Sequence, residues 1–355
     1  MMPFAPAVLF TLSRRLYAVI AGIVLLVLVV GGLVIFHGPN DFAGAPERQF
    51  FIKRGESFAQ IVDSLEAQGI IRDRTMFRLV ARVYGGADRL QIGKYRFVSG
   101  MSNAEIYLSL REGRGNQLVK VSIPEGSRPR LQARLFARAI GIDSSRFVNL
   151  VYDPETTRDF GIEAESLEGY LLPETYSLYW GMDEKELIQM QVREFRKFFS
   201  DSLVQRAKDL GWTVHQAVTF ASIVEGEAVM DAERPTIAGV YHNRLRKGMR
   251  LEADPTIQYL FDGGPRRVLY ADLRMDSPYN TYKYAGLPPG PVNNPGKASM
   301  LASLYPAAHS YLYFVANGNG GHWFSQTYAE HMQNVRRYRH ERARQWREAK
   351  NASGG

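Results

Sequence analysis

The sequence contains no cysteine among its 355 residues. This absence excludes disulfide bonds, metal sites built from thiolates, a cysteine nucleophile and a lipidated cysteine. It is compatible with an oxidising compartment but does not require one. A chain of this length is long enough to form two or three domains.

The motifs of several enzyme classes are also missing. The seven histidines show no HExxH or other metal-ligand spacing, which argues against a zinc hydrolase. No glycine-rich phosphate loop follows an expected strand, since the glycines at 318–321 fit a hairpin turn better. The Gly-x-Ser-x-Gly elbow of one large class of serine hydrolases does not occur. We therefore expect neither a metal nor a cofactor.

The charge of the chain is mildly basic, with a formal net charge of +8. No dense basic block interleaved with aromatic residues occurs before the C-terminus, so nucleic acid is not an expected partner. An anionic membrane surface or an acidic polymer would suit this charge equally well. The segment from Glu330 to Lys350 has the pattern of a basic amphipathic helix, which is usually a solvated face.

One long apolar run lies near the N-terminus, from Leu16 to Phe36. As a helix its roughly 21 residues would span ~31 Å, the thickness of a bilayer's hydrocarbon core. Arg14 and Arg15 precede it, so the positive-inside rule places the N-terminus in the cytoplasm. Twin-arginine export and a cleaved signal peptide are the alternatives, the latter because 43–45 resembles a cleavage site. The run is longer than a signal sequence needs, and we predict a retained single-pass transmembrane helix.

A small unit at 47–117 follows a linker at 37–46. Its arrangement of strands and helices resembles a LysM-type glycan-binding module, and a plain structural spacer is the alternative. We expect strands at 49–53 and 93–98, and helices at 57–68, 73–84 and 102–111.

The rest of the chain is expected to form a mixed domain of helices and strands at 118–340, before a basic tail at 341–355. Together with the cytoplasmic tail (1–15) and the transmembrane helix (16–36), this makes the fold class α+β. Within the larger domain we expect one long helix from Glu184 to Lys208, a helix at 236–247 and a buried strand at 311–316.

A helix expected from Thr213 to Ala228 is the centre of this larger domain. Thr213 and Gln216 have the spacing of a capping box at its start. At about 100° per residue, one face of this helix is apolar. That face consists of Val214, Ala217, Val218, Ala221, Val224 and Ala228.

Glu225 falls inside the apolar face of this helix, and Glu227 lies at its edge. Burying an ionised carboxylate without a partner is costly, so an acid on a core face tends to stay protonated, as a general acid must. The alternative is that Glu225 pairs with Arg234 or Arg244 and only stabilises the fold.

Several residues in the later loops have the chemistry that binds sugars, namely aromatic faces and amide groups. They are Tyr279, Asn280, Tyr282 and Asn293, although such residues in loops rich in proline and glycine are often only turn residues.

A second carboxylate, which ordinary glycoside hydrolysis needs, does not stand out. Asp254, Glu227 and Glu233 are the candidates, and Asp254 is also expected to cap a helix that begins there. One acid is sufficient if the sugar supplies its own nucleophile.

A series of short motifs occurs in order through the second half of the chain: Ala221-Ser-Ile-Val-Glu225, Asn243-Arg-Leu with Gly248-Met-Arg-Leu251, Asp254-Pro-Thr256, Tyr279-Asn-Thr-Tyr282, Gly286-Leu-Pro-Pro-Gly290 and Tyr313-Phe-Val-Ala316 with Gly321-His322. Together they resemble the MltG (YceG-like) endolytic murein transglycosylases, and the resemblance extends over about residues 47–340. Many members have a lysine or arginine after the catalytic glutamate, where this chain has Gly226.

The resemblance implies that Glu225 is the catalytic acid of a non-hydrolytic reaction. The acid would protonate the glycosidic oxygen between N-acetylmuramic acid and N-acetylglucosamine. It would then take the proton from the muramic 6-hydroxyl as this group attacks its own C1, with the large effective molarity of an intramolecular nucleophile. The product would carry a 1,6-anhydro end, so the expected enzyme is a lyase.

The same resemblance implies an inner-membrane protein whose catalytic domain faces the periplasm. It would cut nascent peptidoglycan strands near the membrane and so terminate their elongation, with peptidoglycan synthases as expected partners. The alternative is a non-catalytic, peptidoglycan-binding scaffold of the cell-wall machinery, which would have no reason to keep an acid at Glu225.

Overall fold

The computed structural model describes residues 7–85, 89–261, 264 and 266–352, and the chain divides into two compact units. The first unit contains Met1–Val119 and Ser177–Met182, and the second contains Lys120–Tyr176 and Asp183–Gly355. The sequence-based boundary separates the two domains between 117 and 118. It did not predict that the later segment Ser177–Met182 belongs to the first unit.

Helix α1, Ala7–His37, contains the apolar run. Its segment Leu16–His37 is long and apolar enough to cross a membrane, and none of its most apolar part is buried inside the protein. A helix that exposes this much apolar surface to solvent is unfavourable, so the segment is compatible with a membrane anchor.

The first unit has the order of elements that its sequence pattern predicts. Strand β1 alternates buried and exposed side chains, with Phe50 and Ile52 inside, and pairs antiparallel with β2. Ser57 and Ser102 each close a capping box before a helix. The elements are β1 (Glu47–Ile52), α2 (Phe58–Ala67), α3 (Arg74–Tyr84), β2 (Gly93–Val98) and α4 (Asn103–Glu112).

The second unit is mainly helical, with short strands in pairs. The boundary between the units falls inside strand β3 (Leu118–Ser122). This strand forms a two-stranded sheet with β4, and β5 and β6 form an antiparallel hairpin. The later elements are α5 (Pro129–Ile140), α6 (Ser144–Val151), α7 (Pro154–Asp159), β4 (Thr175–Tyr179), α8 (Glu184–Phe198), α9 (Asp201–Asp209), α10 (Val214–Glu227), α11 (Arg234–Arg246), α12 (Asp254–Gln258), α13 (Lys297–Leu304), β5 (Tyr313–Ala316), β6 (His322–Ser325) and α14 (Tyr328–Ala352).

Three local expectations for this unit were wrong. The long helix at 184–208 is two helices, because Phe199 leaves the helical conformation and buries its ring against Phe195. Asp254 is the first residue of α12 and its cap is Ala253, so the aspartate is not the N-cap. The strand at 311–316 begins at Tyr313 and is only half-buried.

Helix α10 confirms the prediction of a central, capped helix. The side chain of Thr213 accepts a hydrogen bond from Gln216 N–H, and the Gln216 side chain accepts one from Thr213 N–H at 2.9 Å. Every residue from Ala217 to Val224 is buried, so even its polar positions face the core. One of these, Ser222, accepts a hydrogen bond from Val292 N–H at 2.9 Å, which fixes the loop around 292 beside the end of the helix.

Candidate active site

Glu225 lies in the last turn of α10 with only 6% of its side chain exposed. Its Oε1 is 3.1 Å from Nη1 of Arg234, and its Oε2 accepts a hydrogen bond from Gly296 N–H at 2.9 Å. The pairing with Arg234 that the sequence left open is therefore present. Arg244 instead donates to backbone oxygens, including those of Leu251 and Leu312.

Arg234 is a buried cation at the start of α11. Its guanidinium lies 3.1 Å from Glu225, 3.0 Å from Asp231 and 3.6 Å from Glu125, and it also donates to Ser299 Oγ. One positive charge thus faces carboxyl groups from three parts of the chain. Opposite charges this close favour the ionised form of an acid, but one cation cannot balance three anions.

A cavity of about 390 Å³ opens beside Glu225. One wall comes from the β3–α5 turn and the first turns of α5, and another from α12. Among the loop residues that the sequence suggested for sugar binding, Asn293 lines this cavity. The residues that line the cavity include Glu125, Gly126, Ser127, Arg128, Arg130, Arg134, Glu225, Gly226, Pro255, Gln258, Tyr259 and Asn293.

Two glycines allow this close packing. Gly126 has φ +70°, which favours glycine, and a Cβ added there would lie 3.4 Å from Cγ of Glu225. A Cβ on Gly296 would overlap the carboxyl group of Glu125. Because Gly296 has no side chain, the carboxyl group of Glu125 lies against its backbone, while its N–H binds Glu225.

Two buried polar atoms in the cavity wall lack a hydrogen-bond partner within the part of the chain that the structure describes. They are Oγ of Ser127 and Oδ1 of Asn293. The Asn293 amide is held in place by a hydrogen bond from Nδ2 to Ser222 O at 2.8 Å. Buried polar groups are normally paired, so these two atoms are exceptions within the cavity wall.

A buried network supports both of these walls. Glu168 is 1% exposed and accepts hydrogen bonds from Tyr152 (2.9 Å) and Tyr259 (3.0 Å). Arg128 Nε lies 3.4 Å from the same carboxylate, and its guanidinium lies over the Tyr259 ring at 4.3 Å. Burial raises the pKa of Glu168, and Arg128 opposes that shift. The network fixes Arg128 and Tyr259 where they line the cavity.

The three acids considered as a second carboxylate lie elsewhere. Glu227 and Asp254 line a different cavity, of about 440 Å³, where they accept hydrogen bonds from Tyr241 (2.7 Å) and Tyr282 (2.6 Å) respectively. Burial raises the pKa of Glu227 to about 7. Glu233 binds His322 through both the ring Nδ1 and the backbone N–H.

The remaining sugar-binding candidates have partners inside the protein. Asn280 is fully buried, and its Nδ2 donates to Leu273 O (3.0 Å) and Met275 O (2.7 Å). The ring of Tyr279 packs 4.6 Å from the ring of Tyr259, and so lies directly behind the cavity wall. Contact between these residues and a sugar stays a prediction.

Sequence reasoning missed Glu125, Arg128 and Glu168. Glu125 and Arg128 belong to a short turn between a strand and a helix, a place where functional residues often lie. An acid in such a turn, beside a glycine, was a signal that could have been weighed. Glu168 had no such local signal, because its burial depends on residues far away in the chain.

Comparisons with known proteins show what this chain is similar to. Residues 50–337 match the model of the YceG-like family. An endolytic murein transglycosylase of Bacillus subtilis is 33% identical over 306 residues, which cover 81% of this chain and 83% of that protein. An endolytic murein transglycosylase of Streptococcus pneumoniae is 28% identical over 315 residues, which cover 80% of this chain and 57% of that protein.

A solved structure is also similar. The crystal structure of a putative yceG-like protein from Listeria monocytogenes superposes with a TM-score of 0.58 at 31% identity, covering 81% of this chain and 98% of that one. The match to the family model extends from the first unit to α14 and includes Glu225. The chain therefore belongs to the YceG-like family.

Proposed function

We propose that this protein is an endolytic lytic transglycosylase that cleaves the bond between N-acetylmuramic acid and N-acetylglucosamine in peptidoglycan. Its relatives in Bacillus subtilis and Streptococcus pneumoniae are named for this activity, which supports the proposal. The observation that carries the assignment is the position of Glu225, a nearly buried carboxyl group in the wall of a cavity with polar lining.

The reaction needs a group that moves protons at the glycosidic bond. In a scheme with a single acid, Glu225 protonates the leaving oxygen and then accepts the proton of the muramic 6-hydroxyl. Arg234 and Gly296 N–H would hold the carboxylate form in place between these steps. The new C1–O6 bond closes the 1,6-anhydro ring, and no water is consumed.

The sugar would be bound by the cavity wall. Asn293 and Ser127 line this wall, and Arg128, which lies over the Tyr259 ring, gives it a surface of hydrogen-bond donors. Tyr279, behind Tyr259, would support that surface, whereas Asn280 and Tyr282 would act by shaping their loop.

The proposed location of the enzyme is supported by the apolar segment of α1. Anchored through Leu16–His37, with the N-terminus in the cytoplasm, the protein would act in the periplasm on strands still close to the inner membrane. There it would terminate elongation beside peptidoglycan synthases. The first unit, for which the sequence predicts a LysM-like module, would position the glycan.

Mass spectrometry of digested peptidoglycan tests this function. The wild-type protein should leave 1,6-anhydromuramic ends. Glu225→Gln should lower the rate of glycan cleavage by ~10²–10⁴-fold or more, because the amide cannot exchange a carboxylic proton. Glu227→Gln is the matched control: the same change, two residues further on, in the other cavity, should cost much less activity.

The outcomes separate the alternatives. Reducing ends without anhydro ends would show that the enzyme hydrolyses its substrate. A wild-type protein that binds glycan strands without cutting them would be a scaffold. A folded Glu225→Gln protein with wild-type turnover would remove Glu225 from the mechanism.

A further inference from the structure

The carboxyl group of Glu125 lies beside Glu225, although the two residues are far apart in the sequence. Both face the same guanidinium, at 3.1 Å for Glu225 and 3.6 Å for Glu125. Both also meet Gly296, whose N–H binds Glu225 and whose Cα has no room for a methyl group because of Glu125. Both residues line the 390 Å³ cavity.

The two carboxyl groups differ in their surroundings. Both oxygens of Glu225 face donors, and its side chain is 6% exposed. Glu125 has the longer contact to Arg234, and its side chain is 44% exposed. A proton shared among the acids around Arg234 is therefore expected on Glu125.

The charges around Glu125 agree with that placement. It is faced by Glu225 from α10, Arg234 from α11, Asp231 from the turn before α11 and Glu174 from the segment before β4. Desolvation raises the pKa of Glu125, the neighbouring carboxylates add to the shift, and Arg234 opposes it. Carboxyl groups that share one site commonly divide into one protonated and one ionised member.

We propose that Glu125 and Glu225 divide the proton transfers of the reaction between them, an inference that rests on the proposed function. Glu125 donates its proton to the leaving glycosidic oxygen as the C1–O4 bond breaks. Glu225 accepts the proton of the muramic 6-hydroxyl as the C1–O6 bond forms. One proton is given and one is taken, so the pair returns to its starting state when a proton passes from Glu225 to Glu125.

The test is to compare two leaving groups, using the full-length protein in detergent. One substrate is uncross-linked glycan strands, and the other is a synthetic muramyl glycan whose leaving group is nitrophenolate, which departs without a proton. Glu125→Gln should lower turnover of the strands by ~10²-fold or more, yet stay within about tenfold of wild type on the nitrophenyl substrate. Glu225→Gln should be slow on both.

Glu174→Gln is the matched control, because Glu174 is also 44% exposed but pairs with Lys297, and its effect on Glu125 is the smallest among the neighbouring charges. It should turn over both substrates like wild type. If Glu125→Gln does not fold, as judged by circular dichroism, Gly296→Ala tests the same carboxyl group by displacing it.

Two results would overturn the proposal: wild-type turnover of strands by Glu125→Gln, or an equal loss on both substrates, which indicates a structural role. Failure of the proposed function looks different, because the wild-type protein itself would then produce no anhydro ends.

Discussion

Glu227 shows how a single residue links the pH to the stability of this fold. Burial raises its pKa from the ordinary 4.5 to about 7. Between these values the folded protein keeps a proton that the unfolded chain has lost, so stability must fall as the pH rises through this window. The full effect is at most about 3 kcal/mol.

We therefore expect Glu227→Gln to remove the fall in the free energy of unfolding that wild type shows as the pH rises. Urea unfolding at about pH 4.5 and about pH 7.5 should show a smaller pH dependence of the unfolding free energy for the variant than for wild type. Glu155→Gln, at an exposed position of α7, should keep the wild-type dependence. If the unfolding free energy of Glu227→Gln depends on pH as in wild type, then other groups cause that dependence.

At the scale of elements, the start of α13 organises the candidate active site. Gly296, its N-cap, donates to Glu225, and Ser299 in its first turn accepts from Arg234. The partial positive charge of a helix N-terminus also favours the carboxylate of Glu225. One helix start thus contacts both members of the Glu225–Arg234 pair.

Gly296→Ala tests this arrangement. Its φ of −74° suits any residue, so we expect a stability loss of no more than about 1 kcal/mol, while the new methyl group displaces the Glu125 carboxyl. Strand cleavage should fall by about tenfold or more, since a displaced acid donates poorly. Lys297→Ala, at the next and exposed position, is the control, and equal activities in the two variants would contradict the prediction.

At the scale of the whole molecule, we expect α1 to determine where the protein acts. The segment Leu16–His37 exposes its apolar side chains, and a bilayer is the environment that would cover them. The full-length protein should stay in the membrane fraction after a carbonate wash and retain its N-terminal residues. A chain that begins at Gly38 should be recovered in the soluble fraction. A mature N-terminus at Pro46 would instead indicate cleavage of a signal peptide.

The local sequence determined the features that depend on near neighbours. The capping box of Thr213, the alternation in β1 and the apolar run at 16–36 each follow from residues a few positions apart, because helix caps and side-chain periodicity are local. Glu225 could be singled out in the same way, from its position on an apolar helix face.

The tertiary structure decided what surrounds these residues. Gly296, 71 residues beyond Glu225, meets it only because α10 and α13 pack together, and Glu125, on a turn far before it, shares the Arg234 guanidinium with it. The side-chain amide of Asn280 is buried and donates to a backbone oxygen of its own loop. The predicted long helix ends at Phe198, and the ring of Phe199 is buried after it. Periodicity shows which face of a helix is buried but not which partner covers it, because that depends on contacts between distant segments.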